Sequence, residues 1–215
     1  FRSISELTFD GYVAGPCALT PDGCIYVATF LEQHQKCKLV VFDLVQKSMV
    51  AALDIEATLG RCSVSDDGSI IAVECHKPSV ELIILDANRG YGCLEKWEGF
   101  SDAMEARMDG AGKRVVIADG SQLVVCSVNP KGSKRTMQGY MASLSPRCRI
   151  TRNGLRVVAS VGGNNFQVWD ASTGVSLALL YGHTGTPRSV AISNDGLRVV
   201  TAAEDSIRLW HLDAL

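Results

Sequence analysis

The chain has no long apolar run. Nothing in its 215 residues approaches the roughly 18 consecutive apolar positions of a helical membrane span, and no signal peptide opens it. It also lacks an excess of one charge: 21 Lys and Arg face 23 Asp and Glu, and a net of −2 argues against a strongly basic nucleic-acid surface. Its eight cysteines contain no Cys-x-x-Cys pair and no zinc spacing. No Asn-x-Ser/Thr sequon occurs, which together with the cysteines points to an intracellular, cytoplasmic protein with reduced thiols. Nothing resembles a disordered tail. What is there, 47% hydrophobic residues and 20 glycines, suits many short buried strands joined by turns.

Those glycines are periodic. Gly23, Gly68, Gly112, Gly154 and Gly196 recur at intervals of 45, 44, 42 and 42 residues, and an apolar strand follows each. A period of this size marks a repeat protein. The last two copies run in parallel, Asn153-Gly154-Leu155-Arg156-Val157-Val158 against Asp195-Gly196-Leu197-Arg198-Val199-Val200. Each copy reads as an apolar run, a polar turn, a β-branched run, a variable loop and a third strand. The copies close on Phe42-Asp43, Leu85-Asp86, Cys126-Ser127, Trp169-Asp170 and Trp210-His211. β-Branched and aromatic residues at these places indicate small antiparallel sheets. The repeat units fall at about 1–45, 46–88, 89–130, 131–172 and 173–215.

The fifth copy carries Tyr181-Gly182-His183, an Asp195-Gly196 turn and the closing Ile207-Arg208-Leu209-Trp210; the fourth ends Val168-Trp169-Asp170. In that order these elements resemble a WD repeat. The likeness is strong over residues 141–215 and rests on period and turn alone in copies one to three. It implies an all-β fold, a β-propeller of about five four-stranded units in which each blade packs its faces on two neighbours around a channel. Members of the family usually have about seven blades, which at this period needs roughly 300 residues. The chain, which does not begin with Met, is therefore expected to be part of a larger ring, with a ring of five units as the alternative. The family's offset between repeat and blade also suggests that Phe1 to Phe9 pair with the final blade.

Aligned on the turn glycines, Cys17, Cys62 and Cys148 fall six residues ahead, where other copies have Ala106 and Val190. One small buried slot in the innermost strand accounts for all of them, since free Cys packs as a small hydrophobe. The resemblance further implies a structural network in the last unit: His183 bonded to Asp205, with Thr201 linking it to Trp210. A hydrolase triad from the same residues is disfavoured, because Thr201 lies within a sheet and no nucleophile elbow is present. His34 and Cys37 form an isolated His-x-x-Cys, too few ligands to hold zinc. Gly162-Gly163-Asn164-Asn165 reads as a hairpin turn. No catalytic residue, metal or cofactor is expected.

Function is thereby directed to the surface. Positions seven before each turn glycine, held by Pro16, Arg61, Glu105, Arg147 and Ser189 with Arg188 adjoining, form a rim of mixed charge at the channel mouth. The loop from Phe30 to Cys37 is longer than its equivalents and offers Phe30 and Leu31 as anchors. These residues, Arg61, Glu105, Arg147, Arg188, Phe30 and Leu31, are the candidate partner-binding set. Asn129 to Arg135 makes a basic turn on the opposite face. The leading expectation is a non-catalytic scaffold that binds proteins or peptides, acidic or phosphorylated ones included, with no membrane partner and no direct nucleic-acid ligand. The alternative is a nucleic-acid-associated, RNA-processing subunit in which Lys131, Lys134 and Arg135 meet phosphate.

Overall fold

A computed structural model describes residues 12–32, 37–77, 80–101, 104–128, 133–143 and 145–212. The pairing of Phe1 to Phe9, His34 and Lys131 lie outside the described residues. Five antiparallel sheets follow one another along the chain. The first contains β1 (Tyr12–Leu19), β2 (Ile25–Glu32), β3 (Cys37–Asp43) and β4 (Ser48–Ile55); the second β5 (Thr58–Val64), β6 (Ile70–Lys77), β7 (Glu81–Asp86) and β8 (Gly92–Glu98). The third has β9 (Glu105–Met108), β10 (Arg114–Ala118), β11 (Leu123–Ser127) and β12 (Lys134–Thr136); the fourth β13 (Cys148–Ile150), β14 (Arg156–Val161), β15 (Asn165–Asp170) and β16 (Ser176–Leu180). In the fifth, β17 (Pro187–Ile192), β18 (Arg198–Ala203) and β19 (Ile207–His211) pair as three strands, and among the described residues the five sheets do not close into a ring. In the first four sheets the outermost strand comes from the repeat unit after the one supplying the first three.

The periodic turn has a hydrogen-bond cause. Three residues before the glycine, a hydroxyl (Thr20, Ser65, Thr151 or Ser193) donates to the acid or amide one residue before it (Asp22, Asp67, Asn153 or Asp195). The same hydroxyl accepts from the N–H two residues past the glycine, and the acid or amide accepts from the N–H one past it. These Asx and Ser/Thr turns hold the glycine at φ of 71° to 73°, a region costly to any other residue. The third copy has Asp109-Gly110-Ala111-Gly112 instead, and Asp109 alone accepts from both Lys113 and Arg114. One carboxylate replaces a two-residue device.

The core is a series of layers between sheets. Residues four past each turn glycine, Val27, Ala72, Val116 and Val158, face the next sheet and are buried against residues three past its glycine, Ile71, Val115, Val157 and Val199. The residue two past each glycine reaches the next turn. Ile25 and Ile70 press on Gly68 and Gly112 so closely that an added Cβ would meet them at 2.9 and 3.0 Å. Arg114 and Arg156 donate to the carbonyls of Gly154 and Gly196 at 2.6 and 2.8 Å.

The fifth sheet shows the same forward face without cover. Val200, Ile207 and Leu209 are 40, 77 and 73% exposed, whereas their fourth-sheet counterparts Val158, Phe166 and Val168 are fully buried. The free edge at the other end corrects the slot assigned to the cysteines. Cys62 and Cys148 are buried against the preceding sheet, where their Sγ atoms lie near the carbonyls of Val27 and Glu105, but Cys17 is exposed. No earlier blade among the described residues covers it.

All eight cysteines are free thiols. Burial pushes the Cys62 and Cys75 thiols up to about 12 and that of Cys126 to about 11, which leaves little nucleophilic thiolate at neutral pH. A thiol reagent at pH 8 should therefore modify Cys17 and Cys93 rapidly, whereas Cys37, Cys62, Cys75, Cys126 and Cys148 should react only after denaturation. Mass-spectrometric mapping before and after unfolding checks this.

Candidate functional site

The first strands of successive sheets, β1, β5, β9, β13 and β17, pack on one another and so form the inner edge of the assembly. Arg61, Glu105, Arg147 and Ser189 recur on this edge, as do Arg107 and Arg149 two residues further along β9 and β13. The structure corrects the role assigned to Glu105. Only 1% exposed, it is a buried hub and no rim charge. Ala118, its partner across β9 and β10, is too small to fill the space occupied by Glu74 in the second sheet and Ser160 in the fourth.

Three guanidiniums converge on a single oxygen of this hub. Arg107 lies 2.6 Å from Glu105 Oε1, Arg149 3.0 Å and Arg61 3.5 Å. The other carboxylate oxygen accepts from the backbone N–H of Cys148 at 3.0 Å. Glu74 repeats the arrangement one sheet earlier, accepting from Ala106 N–H at 2.7 Å and Arg61 N–H at 3.2 Å, with Arg107 Nη1 at 3.8 Å. Both carboxylates thus tie the innermost strand of one sheet to that of the next. Burial pushes both carboxyls up, but at Glu105 the Arg107 and Arg149 charges prevail and hold it below its ordinary range; Glu74, with weaker pairing, stays above it.

The remaining predicted residues are dispersed. Arg147 directs Nε to the Arg188 carbonyl at 2.8 Å and Nη1 to that of Pro146 at 2.9 Å, and Arg188 is ion-paired with Glu204. These two arginines are thereby brought together at the mouth between the fourth and fifth sheets. Phe30 and Leu31 are not anchors on a loop. Strand β2 continues through both, Phe30 is buried with Ala28 and Val40, and Leu31 packs against the layer between the first and second sheets. The near-continuous apolar run from Ile25 to Leu31, in a strand with apolar residues on both faces, was the signal that the loop reading missed. Lys134 and Arg135 belong to β12 rather than to a turn.

The last sheet contains a continuous polar chain. Trp210 Nε1–H donates to Thr201 Oγ1 at 2.8 Å, Thr201 Oγ1 lies 2.8 Å from His183 Nε2, and His183 Nδ1 lies 2.8 Å from Asp205 Oδ1. Thr201 Oγ1 thus links the indole N–H to one nitrogen of the His183 ring, and the other ring nitrogen is bonded to Asp205. Burial would raise the Asp205 carboxyl, but the hydrogen bond from His183 and those from the Thr184 backbone and Ser206 hold it well below the usual range. Thr201 is fully buried, so no substrate atom reaches it. The fourth sheet satisfies its tryptophan differently: Trp169 Nε1–H donates to the Gln138 carbonyl at 2.7 Å, and Tyr140 packs on the indole at 6.3 Å. Among the described residues no group of three or more His, Cys, Asp and Glu is placed to hold a metal ion, and Cys37 is buried.

No protein-family model matches the sequence. Among solved structures, the β-propeller domain of Cps50 (Swd1) from Myceliophteria thermophila aligns with 96% of this chain and 70% of its own at a TM-score of 0.75, with 12% identity. The chain has the WD-repeat β-propeller fold. Among curated proteins, Pre-mRNA-processing factor 19 homolog 2 of Arabidopsis thaliana is 33% identical over 63 residues, a segment spanning 29% of this chain and only 12% of that protein. The five sheets are accordingly blades, and the inner edge bearing Glu105 and its arginines lines the propeller channel.

His183→Ala should lower stability by about 1 to 3 kcal/mol, the usual cost of leaving buried partners unpaired; chemical denaturation measures it. Glu105→Ala should cost about 2 to 4 kcal/mol by leaving the Cys148 N–H and the clustered guanidiniums without their acceptor. Because the folded-state pKa of Glu105 is depressed, its contribution is complete above the ordinary carboxylate value of 4.5 and is lost as pH falls through the folded value. Glu105→Gln should flatten that acid limb, which denaturation midpoints across pH 3 to 7 would show as a reduced slope.

Proposed function

We propose that this propeller is a non-catalytic scaffold that holds a peptide segment of a partner protein at the channel mouth, with acidic or phosphorylated side chains as the favoured ligands. The observation that carries the reading is the collection of Arg61, Arg107, Arg147, Arg149 and Arg188 along the innermost strands of four neighbouring blades, where guanidiniums can grip carboxylate or phosphate oxygens in pairs. Rigid strands hold these side chains in place. That suits recognition.

A second reading, a subunit of an RNA-processing assembly, draws on the segment shared with Pre-mRNA-processing factor 19 homolog 2. A cavity of about 180 Å³ lined by Arg114, Lys134 and Arg135 with Ser127, Ser133 and Ser172 supports it, because cations among hydroxyls suit phosphate. It predicts a salt-dependent mobility shift with RNA.

The two readings separate by substitution. Glutamine is chosen over glutamate because a new carboxylate at position 61 would stand beside Glu105. Joint Arg61→Gln, Arg147→Gln and Arg188→Gln should abolish capture of the main partner in affinity purification with mass spectrometry while leaving the circular-dichroism spectrum intact. Lys134→Gln with Arg135→Gln should leave capture unchanged. The reverse pattern would sink the channel-mouth reading and favour the RNA reading.

A further inference from the structure

Arg61, Arg107 and Arg149 are held together by one buried carboxylate, yet none is itself buried. Their side chains remain 40, 19 and 30% exposed, while Glu105 and Glu74 beneath them are nearly inaccessible, at 2 and 3%. Three positive charges therefore face the channel over two negative ones. The excess grows to the extent that Glu74 takes up a proton, which its burial favours. A guanidinium has five N–H donors. Arg107 and Arg149 each direct Nη1 to the carbonyl of the residue before them, at 2.7 and 2.6 Å, and all three share Glu105 Oε1, so the cluster has more donors than these acceptors satisfy.

Glu105 also removes the main obstacle to such a site. Three arginines brought together without a counter-ion would repel one another and splay apart. A carboxylate fixed by the Cys148 N–H and recessed below them holds the guanidiniums in one place before any ligand arrives, so a ligand does not have to order them. From this geometry, and resting on the peptide-docking reading above, we propose that Arg61, Arg107 and Arg149 form a preorganised seat for one anionic side chain of the docked peptide, a phosphoester or a carboxylate, inserted into the channel at blades two to four. Arg147 and Arg188, tied to each other and to Glu204, flank this seat without forming it.

The test uses three fluorescent peptides of otherwise neutral sequence that differ at one position, phosphoserine, glutamate or serine, together with an oligouridylate, titrated by anisotropy against the full chain. The phosphoserine or the glutamate peptide should bind and the serine peptide should not; which of the two binds tighter identifies the source of the anion. Arg61→Gln with Arg149→Gln should weaken binding at least about tenfold, the scale of one charge-assisted hydrogen bond lost, and Arg149→Lys should recover only part of it because the fork is missing. Inorganic phosphate should raise the melting temperature of the parent and not of the double variant, a readout that needs no peptide. Unchanged peptide affinity in Arg61→Gln with Arg149→Gln, alongside loss in Arg147→Gln with Arg188→Gln, would overturn the seat and leave channel-mouth docking standing. Binding of the oligouridylate alone, or of no probe, would overturn both.

Discussion

Everything in this fold depends on each blade's forward face being covered by the blade that follows. A single four-stranded sheet of this size cannot bury both faces, and Val158, Phe166 and Val168 of β14 and β15 lose their contact with water because β17 and β18 lie on them. Fully burying a Val, Leu or Phe side chain is worth about 1.5 to 3 kcal/mol, and each of the four layers contains several. The contact at the second residue past the turn glycine fixes the spacing of these layers at one end: isoleucine packs on the next glycine in the early blades, and arginine donates to its carbonyl in the later ones. Val200, Ile207 and Leu209 show what the same face looks like when no blade follows among the described residues.

Toward the channel, apolar packing gives way to charge. Glu74 and Glu105 are buried where the innermost strands approach, and each accepts the N–H of the residue six before the next turn glycine. A hydroxyl would satisfy one such N–H; a carboxylate satisfies it and attracts cations as well. The arginines of blades two to four are therefore a consequence of how two blade joints are satisfied, and in the proposed function the same charges hold the anion. On that proposal, structure and recognition share one set of residues.

Variation among the copies follows the same logic. Where the fifth blade joins Trp210 to Thr201, His183 and Asp205, the fourth gives Trp169 a backbone carbonyl and packs Tyr140 against it. Where four turns use a hydroxyl with an acid or amide, the third uses Asp109 alone. The requirement preserved in each case is a partner for a buried or turn N–H, because an unpaired one costs more than any one residue choice contributes. A family motif describes the most frequent solution, and copies one to three depart from it without departing from the fold.

The sequence by itself determined the period, the strand pattern, the turn glycines and, through its likeness to WD repeats, the propeller and the members of the His183 network. These are readable because local hydrogen bonding and alternation repeat every blade, so each copy reinforces the others. It did not determine which recurring positions face solvent. Glu105 aligns with Arg61 and Arg147 and was grouped with them as a rim charge, and only tertiary structure shows that Glu105, opposite the small Ala118, is buried under guanidiniums of its own strand and of two others. Phe30 and Leu31 were assigned to a loop because strand length is set by pairing with β3, a non-local interaction. Cys17 shares its register with two buried cysteines and differs from them only in lacking a described blade on that side. Burial in a propeller belongs to the joint between two repeats, and a single repeat's sequence does not contain its neighbour.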